Sequence, residues 1–182
     1  MQQFQNFIFN TPKLGIFYLG GKIEGCSIEI HDVVFVVGKS NIDMSEQIRK
    51  KWIGSPNSLH IDSWFIAETV DGFNIRISET TPQTRKNRLF FVNLGSYKKN
   101  FFGEFHFMSL IVAESRHAAI EKAKINAPKN EEMQHCDNIY DIDECIRIDK
   151  IDNYYIVLDY TGIEQENTVI NGYQKLNGSV AN

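Results

Sequence analysis

The chain matches itself. Ile16 to Asp62 aligns without a gap on Phe91 to Asp137 at an offset of 75 residues, and nine of the 47 positions are identical. They are Leu19 with Leu94, Gly20 with Gly95, Glu29 with Glu104, His31 with His106, Val37 with Val112, Ser40 with Ser115, Glu46 with Glu121, His60 with His135, and Asp62 with Asp137. Four of the five histidines are in that set. Chance would match on the order of 0.05 histidines over such a length. After Asp137 the second copy carries extra residues around Tyr140 to Cys145, and the match resumes at an offset of 81, with Phe73, Ile75 and Ile77 against Tyr154, Ile156 and Leu158.

A repeated unit must fold twice by the same rules, so the elements can be read in pairs. A first strand, Leu14 to Leu19 and Leu89 to Leu94, is ended by Gly20-Gly21 and by Gly95-Ser96. Ser27 to Val37 and Gly103 to Val112, rich in Val, Ile and Phe, form the second. Ser40 and Ser115 then stand where a helix cap is wanted. The helix stripe is Met44, Ile48 and Trp52 in one copy and Ala119, Ala123 and Ala127 in the other, so the second helix must lie closer to its sheet or have its missing volume filled by Phe101, Phe102, Phe105 and Phe107. Pro128 stops it. Asp71-Gly72 and Asp152-Asn153 tolerate positive φ and suit tight hairpins.

The expected fold is therefore α+β: two tandem ββαββ repeats, antiparallel sheet with one helix per repeat, related by a pseudo-two-fold. Residues 14–79 form the first repeat, 80–88 a polar linker and 89–160 the second, with 1–13 an N-terminal extension and 161–182 a loosely attached C-terminal arm.

A net charge of -4, from 19 Lys and Arg against 23 Asp and Glu, argues against a phosphate-backbone partner, so nucleic acid is not expected. Met1 to Asn10 lacks the basic start and apolar core of a signal peptide, and no apolar run approaches the roughly 18 residues that span a bilayer. No membrane partner is expected, and the protein reads as cytoplasmic. Cys26, Cys136 and Cys145 are widely spaced with no C-x-x-C pair, which argues for half-buried thiols over a disulfide framework or a zinc cluster.

Residues two apart on a strand share a face, so Glu29 with His31, His60 with Asp62, Glu104 with His106, and His135 with Asp137 each form a polar pair. Trp64 shares the face of His60 and Asp62 and could floor a pocket. A half-dry imidazole beside a carboxylate has two readings. It is a metal or acid/base site, with His31 and His106 as ligands of a divalent Zn, Fe, Mn or Ni, or it is a strand end where the groups satisfy one another. A duplicated structural residue persists as readily as a duplicated ligand, and both readings stay open. Leu19-Gly20-Gly21-Lys22 lacks the spacing of a phosphate loop.

Phe17-Tyr-Leu-Gly-Gly, Glu29-Ile-His-Asp-Val-Val-Phe-Val-Val-Gly38, Leu59-His-Ile-Asp-Ser-Trp64, and Phe91-Val-Asn-Leu-Gly95 with Gly103-Glu-Phe-His106 also resemble a family. It is the uncharacterised bacterial family catalogued as domain of unknown function fifteen-forty-three. The resemblance covers Leu14 to about Tyr160 and implies one or two domain copies, a bacterial source and no assigned activity. Read from its second strand, each unit is also similar in topology to the paired modules of the vicinal oxygen chelate superfamily. There the opening strand of a module supplies a metal ligand, near His31 and His106; the closing strand, Arg88 to Asn93, lacks the Glu such a module would carry. Function is thus read as a non-enzymatic small-molecule or protein-binding module, with a metal-dependent enzyme using the repeated His and carboxylates as the alternative. A small molecule, a protein, or a second copy in a homodimer are the partner classes.

Overall fold

A computed structural model describes residues 7–83, 86–128 and 141–176. The described residues are α+β, with two helices and antiparallel pairing of the strands in the two sheets that the helices cover. In chain order the elements are β1 (Ile8–Gly21), β2 (Ile30–Ser40), α1 (Asn41–Lys51), β3 (His60–Ala67), β4 (Thr69–Val70), β5 (Phe73–Ser78), β6 (Arg88–Ser96), β7 (Phe105–Ala113), α2 (Arg116–Asn126), β8 (Asp141–Arg147), β9 (Lys150–Ile151), β10 (Tyr154–Tyr160) and β11 (Ile170–Lys175). They divide into two compact units: Met1–Thr69, Ile75–Ile77 and Gln165–Asn182 form the first, Val70–Asn74 and Ser78–Glu164 the second. Among the described residues no helix is long and apolar enough to cross a membrane.

The first unit is a sheet in the order β11-β3-β1-β2 with α1 on one face. Ser40 caps the helix by accepting from the Asp43 N–H at 3.2 Å, and its last turn is basic, as the helix dipole favours. Helical spacing turns Met44 and Ile48 down onto Phe17, Leu19, Val34, Val36 and Ile61, where both are wholly buried. Three expectations change here. β1 begins at Ile8, inside the stretch expected to be an extension, and runs on through Gly20 and Gly21, which are strand and not turn. The C-terminal arm is not loose: Ile170–Lys175 hydrogen-bonds along β3 and occupies the edge that β3 would otherwise expose.

The second unit is a sheet in the order β7-β6-β8 with α2 on one face, and a β9-β10 hairpin. Ser115 caps α2 through the Ala118 N–H. Of the four phenylalanines expected to restore the volume missing from its alanine stripe, Phe107 packs against this core, while Phe101, Phe102 and Phe105 are 51%, 106% and 41% exposed and do not. The rest of the volume has moved to the strand and one turn of the helix. Gly15, where an added methyl would press on Phe17 and on the Met44 sulfur at 3.1 Å, has Phe90 at the position 75 residues on, and Ser45 has Ile120. A large helix residue over a glycine strand, and a small one over a phenylalanine, fill the same space to native density.

β6 pairs on both sides within the second unit, so it is not the closing strand of the first, as the vicinal oxygen chelate comparison required. Both expected hairpins form: Asp71 and Gly72 have φ of 53° and 76°, and Asp152 a φ of 51°.

Candidate functional site

The first site is built on a row across three strands. Gly20 on β1 is paired on one side with His31 of β2 and on the other with His60 of β3, so both imidazoles stand on its face. A β-bulge at Asp62, between the Tyr18–Ser63 and Leu19–Ile61 pairs, inserts one residue into β3 and lets that carboxylate reach the row. Glu29, just before β2, closes the group.

His31 Nε2 lies 3.7 Å from Glu29 Oε1 and 3.4 Å from Asp62 Oδ2; His60 Nε2 lies 3.8 Å from Glu29 Oε2 and 3.4 Å from Asp62 Oδ1. Two carboxylates thus each face both imidazole nitrogens. His60 is only 3% exposed and its Nδ1–H donates to the Ser58 carbonyl at 2.9 Å, which turns Nε2 toward the carboxylates. The loop after α1 holds that carbonyl. Ser55 O accepts from the Trp52 indole, the Ser58 N–H and the Ser58 hydroxyl, while the Lys22 N–H donates to Ser58 Oγ at 2.7 Å. Asp62 Oδ2 is buried without a hydrogen-bond donor.

Aromatic rings flank the row. Tyr18 stacks on His31 with centroids 5.2 Å apart and planes 8° from parallel, and Tyr173 of β11 lies 4.4 Å from the His60 ring. Burial and, less strongly, the Asp62 charge push the Tyr18 phenol above its ordinary pKa, so it stays protonated at neutral pH. Gly20, the middle residue of the row, has no side chain, and the ends of His60 and Asp62 fill the space over it. A methyl group built on Gly20 would collide with His60 Nε2 and come within 2.8 Å of Asp62 Oδ2.

Trp64 does not join the site. The bulge at Asp62 reverses the alternation of β3, so Trp64 pairs with Phe17 on the helix-covered face and stacks on Phe17 and Phe7 at 5.9 and 5.6 Å.

In the second unit Gly95 of β6 is likewise paired with His106 of β7. Its partner on β8 is Asp141, with a bulge at Asp143. His106 Nδ1 is 3.0 Å from Asp143 Oδ2, His106 Nε2 is 4.0 Å from Glu104 Oε2, and the Asn93 amide nitrogen is 3.3 Å from both His106 Nδ1 and Asp143 Oδ2. Glu104 and His106 are brought together, with Glu104 standing just before β7. His135 and Asp137 lie outside the described residues. Asp141 pairs with Gly95 where His60 pairs with Gly20, and the bulge residue Asp143 stands where the bulge residue Asp62 stands, both at an offset of 81. Carrying the second offset back from Phe73 and Tyr154 would have found Asp143; the identical His-x-Asp six residues earlier hid it. Gly20 and Gly95 are visible as identities, but a glycine after an apolar run signals a strand end, and only the pairing on both sides places them inside β1 and β6.

Cys26 is exposed and Cys145 buried, and both are free thiols. Cys136 lies outside the described residues.

Residues 26–77 match the model of the family described as Domain of Unknown Function (DUF1543), a span that holds Glu29, His31, His60 and Asp62. The solved structure titled as a protein Il1583 from Idiomarina loihiensis is similar at 31% identity and a TM-score of 0.71, over 92% of this chain and 99% of that one. No curated protein matches significantly.

Proposed function

Because the chain belongs to the DUF1543 family, whose description assigns no activity, its use has to be read from the site, and we propose that it is a metal-binding module. In this reading Glu29, His31, His60 and Asp62 of the first unit hold one divalent transition ion.

The observation that carries it is the buried His60 ring, fixed through Nδ1 by a backbone carbonyl so that Nε2 faces two carboxylates. That is how a ligating histidine is oriented from behind. The spacing supports the reading. Four ligands about 2.1 Å from a tetrahedral ion stand about 3.4 Å apart; a nitrogen each of His31 and His60 and one oxygen of Glu29 lie within 4.8 Å of one another, and Asp62 brings a different oxygen to 3.4 Å from each imidazole. Hydrogen bonds alone would draw such groups to about 2.8 Å. A cation would also satisfy the orphaned Asp62 Oδ2. Two imidazoles and two carboxylates suit Zn²⁺ and its neighbours. The His31 and Glu29 side chains are 36% and 47% exposed, so a small molecule can reach the ion, which a binding module and a metal-dependent enzyme both require.

The test is metal content and zinc binding. Protein purified without chelator or affinity tag is expected to take up one equivalent of Zn²⁺ by calorimetry, lost in His60→Ala. Protein that arrives metal-free and binds none of Zn²⁺, Fe²⁺, Mn²⁺ or Ni²⁺ overturns the reading.

We further infer that the chain is an internal duplication of bacterial origin. Support comes from the shared strand order, β3-β1-β2 and β8-β6-β7, the serine caps, and a glycine opposite a histidine in each unit.

A further inference from the structure

We propose that Tyr173 of β11 is a positioning residue for the metal site of the first unit, and that docking of the C-terminal strand and binding of the ion strengthen one another. The inference rests on the metal-binding reading of that site and adds what steadies it.

β3 carries two of the four ligands, His60 and Asp62, and β11 lies along that stretch. Lys175 pairs with His60 and Gln174 with Ile61; beyond a bulge, Asn171 pairs with Ser63 and Ile170 with Trp64. Two residues of β11, Gly172 and Tyr173, thus stand opposite the single residue Asp62. Gly172 takes a φ of 143°, which L side chains rarely adopt, and the bulge brings Tyr173 onto the imidazole with 4.4 Å between ring centroids. The buried His60 ring is thereby held twice, through Nδ1 by the Ser58 carbonyl and by the Tyr173 ring.

The strand is pinned at both ends and lightly held between them. Ahead of it the Asn167 side chain accepts from the Glu68 N–H at 2.9 Å and donates to the Thr69 carbonyl at 2.8 Å, and the Thr69 hydroxyl donates to the Gln165 carbonyl. Behind it the Leu176 N–H donates to the Leu59 carbonyl. In between no residue of β11 is buried. An edge strand with so little buried surface opens at a small cost in free energy. Linkage is reciprocal, so the factor by which docked β11 raises zinc affinity is also the factor by which zinc tightens its docking. Tyr173 suits this role because, at 65% exposure, it adds little to the core and much to the placing of one ligand.

Zinc affinity of the full chain is measured by competition with a chromophoric chelator, and amide hydrogen exchange across Ile170–Lys175 is followed with and without Zn²⁺. Tyr173→Ala should weaken zinc binding by about tenfold, while Tyr173→Phe keeps it, since the ring is what meets His60. Gly172→Ala, whose methyl would meet nothing within 4 Å, should weaken binding through the backbone alone. Zinc should slow exchange across β11, and do so less in Tyr173→Ala. Circular dichroism checks that each variant folds. Full zinc affinity in Tyr173→Ala or Gly172→Ala overturns the proposal, as does an equal loss in Tyr173→Phe, or exchange across β11 that zinc leaves unchanged. An unaltered chain that binds no Zn²⁺ overturns the metal-binding reading and this one with it; zinc held equally by the unaltered chain and Tyr173→Ala overturns this one alone.

Discussion

Gly20 stands directly opposite His60 across β1 and β3, and it is the absence of a side chain there that lets His60 Nε2 and Asp62 meet. Gly20→Ala is therefore expected to weaken zinc binding by about tenfold or more and to lower the melting temperature of metal-free protein as well. The added methyl meets the buried His60 ring, which the Ser58 carbonyl holds in place. Unchanged zinc affinity by calorimetry would remove the row from the site.

Stabilisation by the ion should depend on pH in one direction. Zinc at about one hundred times its dissociation constant adds roughly 2.7 kcal/mol to the folded state. Acid removes that gain, because a protonated imidazole has no lone pair to give. Melting with and without Zn²⁺ should show a separation at neutral pH that closes in acid. A separation that persists in acid would point to a site made of carboxylates alone.

How much of this was legible in the chain varies by residue. The helix caps at Ser40 and Ser115 and the turn at Asp71-Gly72 follow local rules that need no partner, and they stand where those rules put them. Glu29 and Glu104 stand just before β2 and β7, outside the strands whose alternation would pair them with His31 and His106, and still come within 4.8 Å of those rings. A bulge is not a local signal. Nothing in His60-Ile-Asp-Ser-Trp64 announces that Asp62 is the extra residue, yet that one insertion moves Trp64 from the site to the core. The arm failed for a similar reason: Ile170–Lys175 is poor in strand-forming residues, and its pairing with β3 is non-local.

That reassignment of Trp64 is open to test. With 9% exposure and ring contacts to Phe7 and Phe17, Trp64→Ala should cost about 3 to 5 kcal/mol by the cavity it leaves. The zinc affinity of the folded fraction should be unchanged. Weakened binding with little loss of stability would restore the tryptophan to the site.

Asp71 does more than shape a turn. Its Oδ2 accepts from the Val112 N–H at 2.6 Å and from Lys122 Nζ at 2.9 Å, tying the hairpin to β7 and α2 within the second unit. Asp71→Ala removes the acceptor of a part-buried backbone N–H and should destabilise by about 1 to 3 kcal/mol in urea titration. Asp71→Asn, which keeps an acceptor oxygen, should recover part of that. Equal losses in the two would mean that the Lys122 charge, and not the backbone bond, carries the effect.

Cys145 supplies an alkaline counterpart. Burial pushes its thiol above the usual 9.0, against the smaller opposing pull of the Arg116 guanidinium. With the folded-state value the higher one, the protonated thiol stabilises the fold fully below pH 9. Above it the unfolded chain releases the proton first, and stability falls as pH rises until the folded-state value is passed. Cys145→Ala should lower stability at neutral pH, where it leaves a small cavity, yet flatten the alkaline decline. The same burial predicts that iodoacetamide labels Cys26, which is exposed, while the peptide containing Cys145 stays unmodified in native protein and is modified in urea. Rapid native labelling of Cys145 in a peptide map would show that α2 opens away from β8 far more often than its packed alanine face allows.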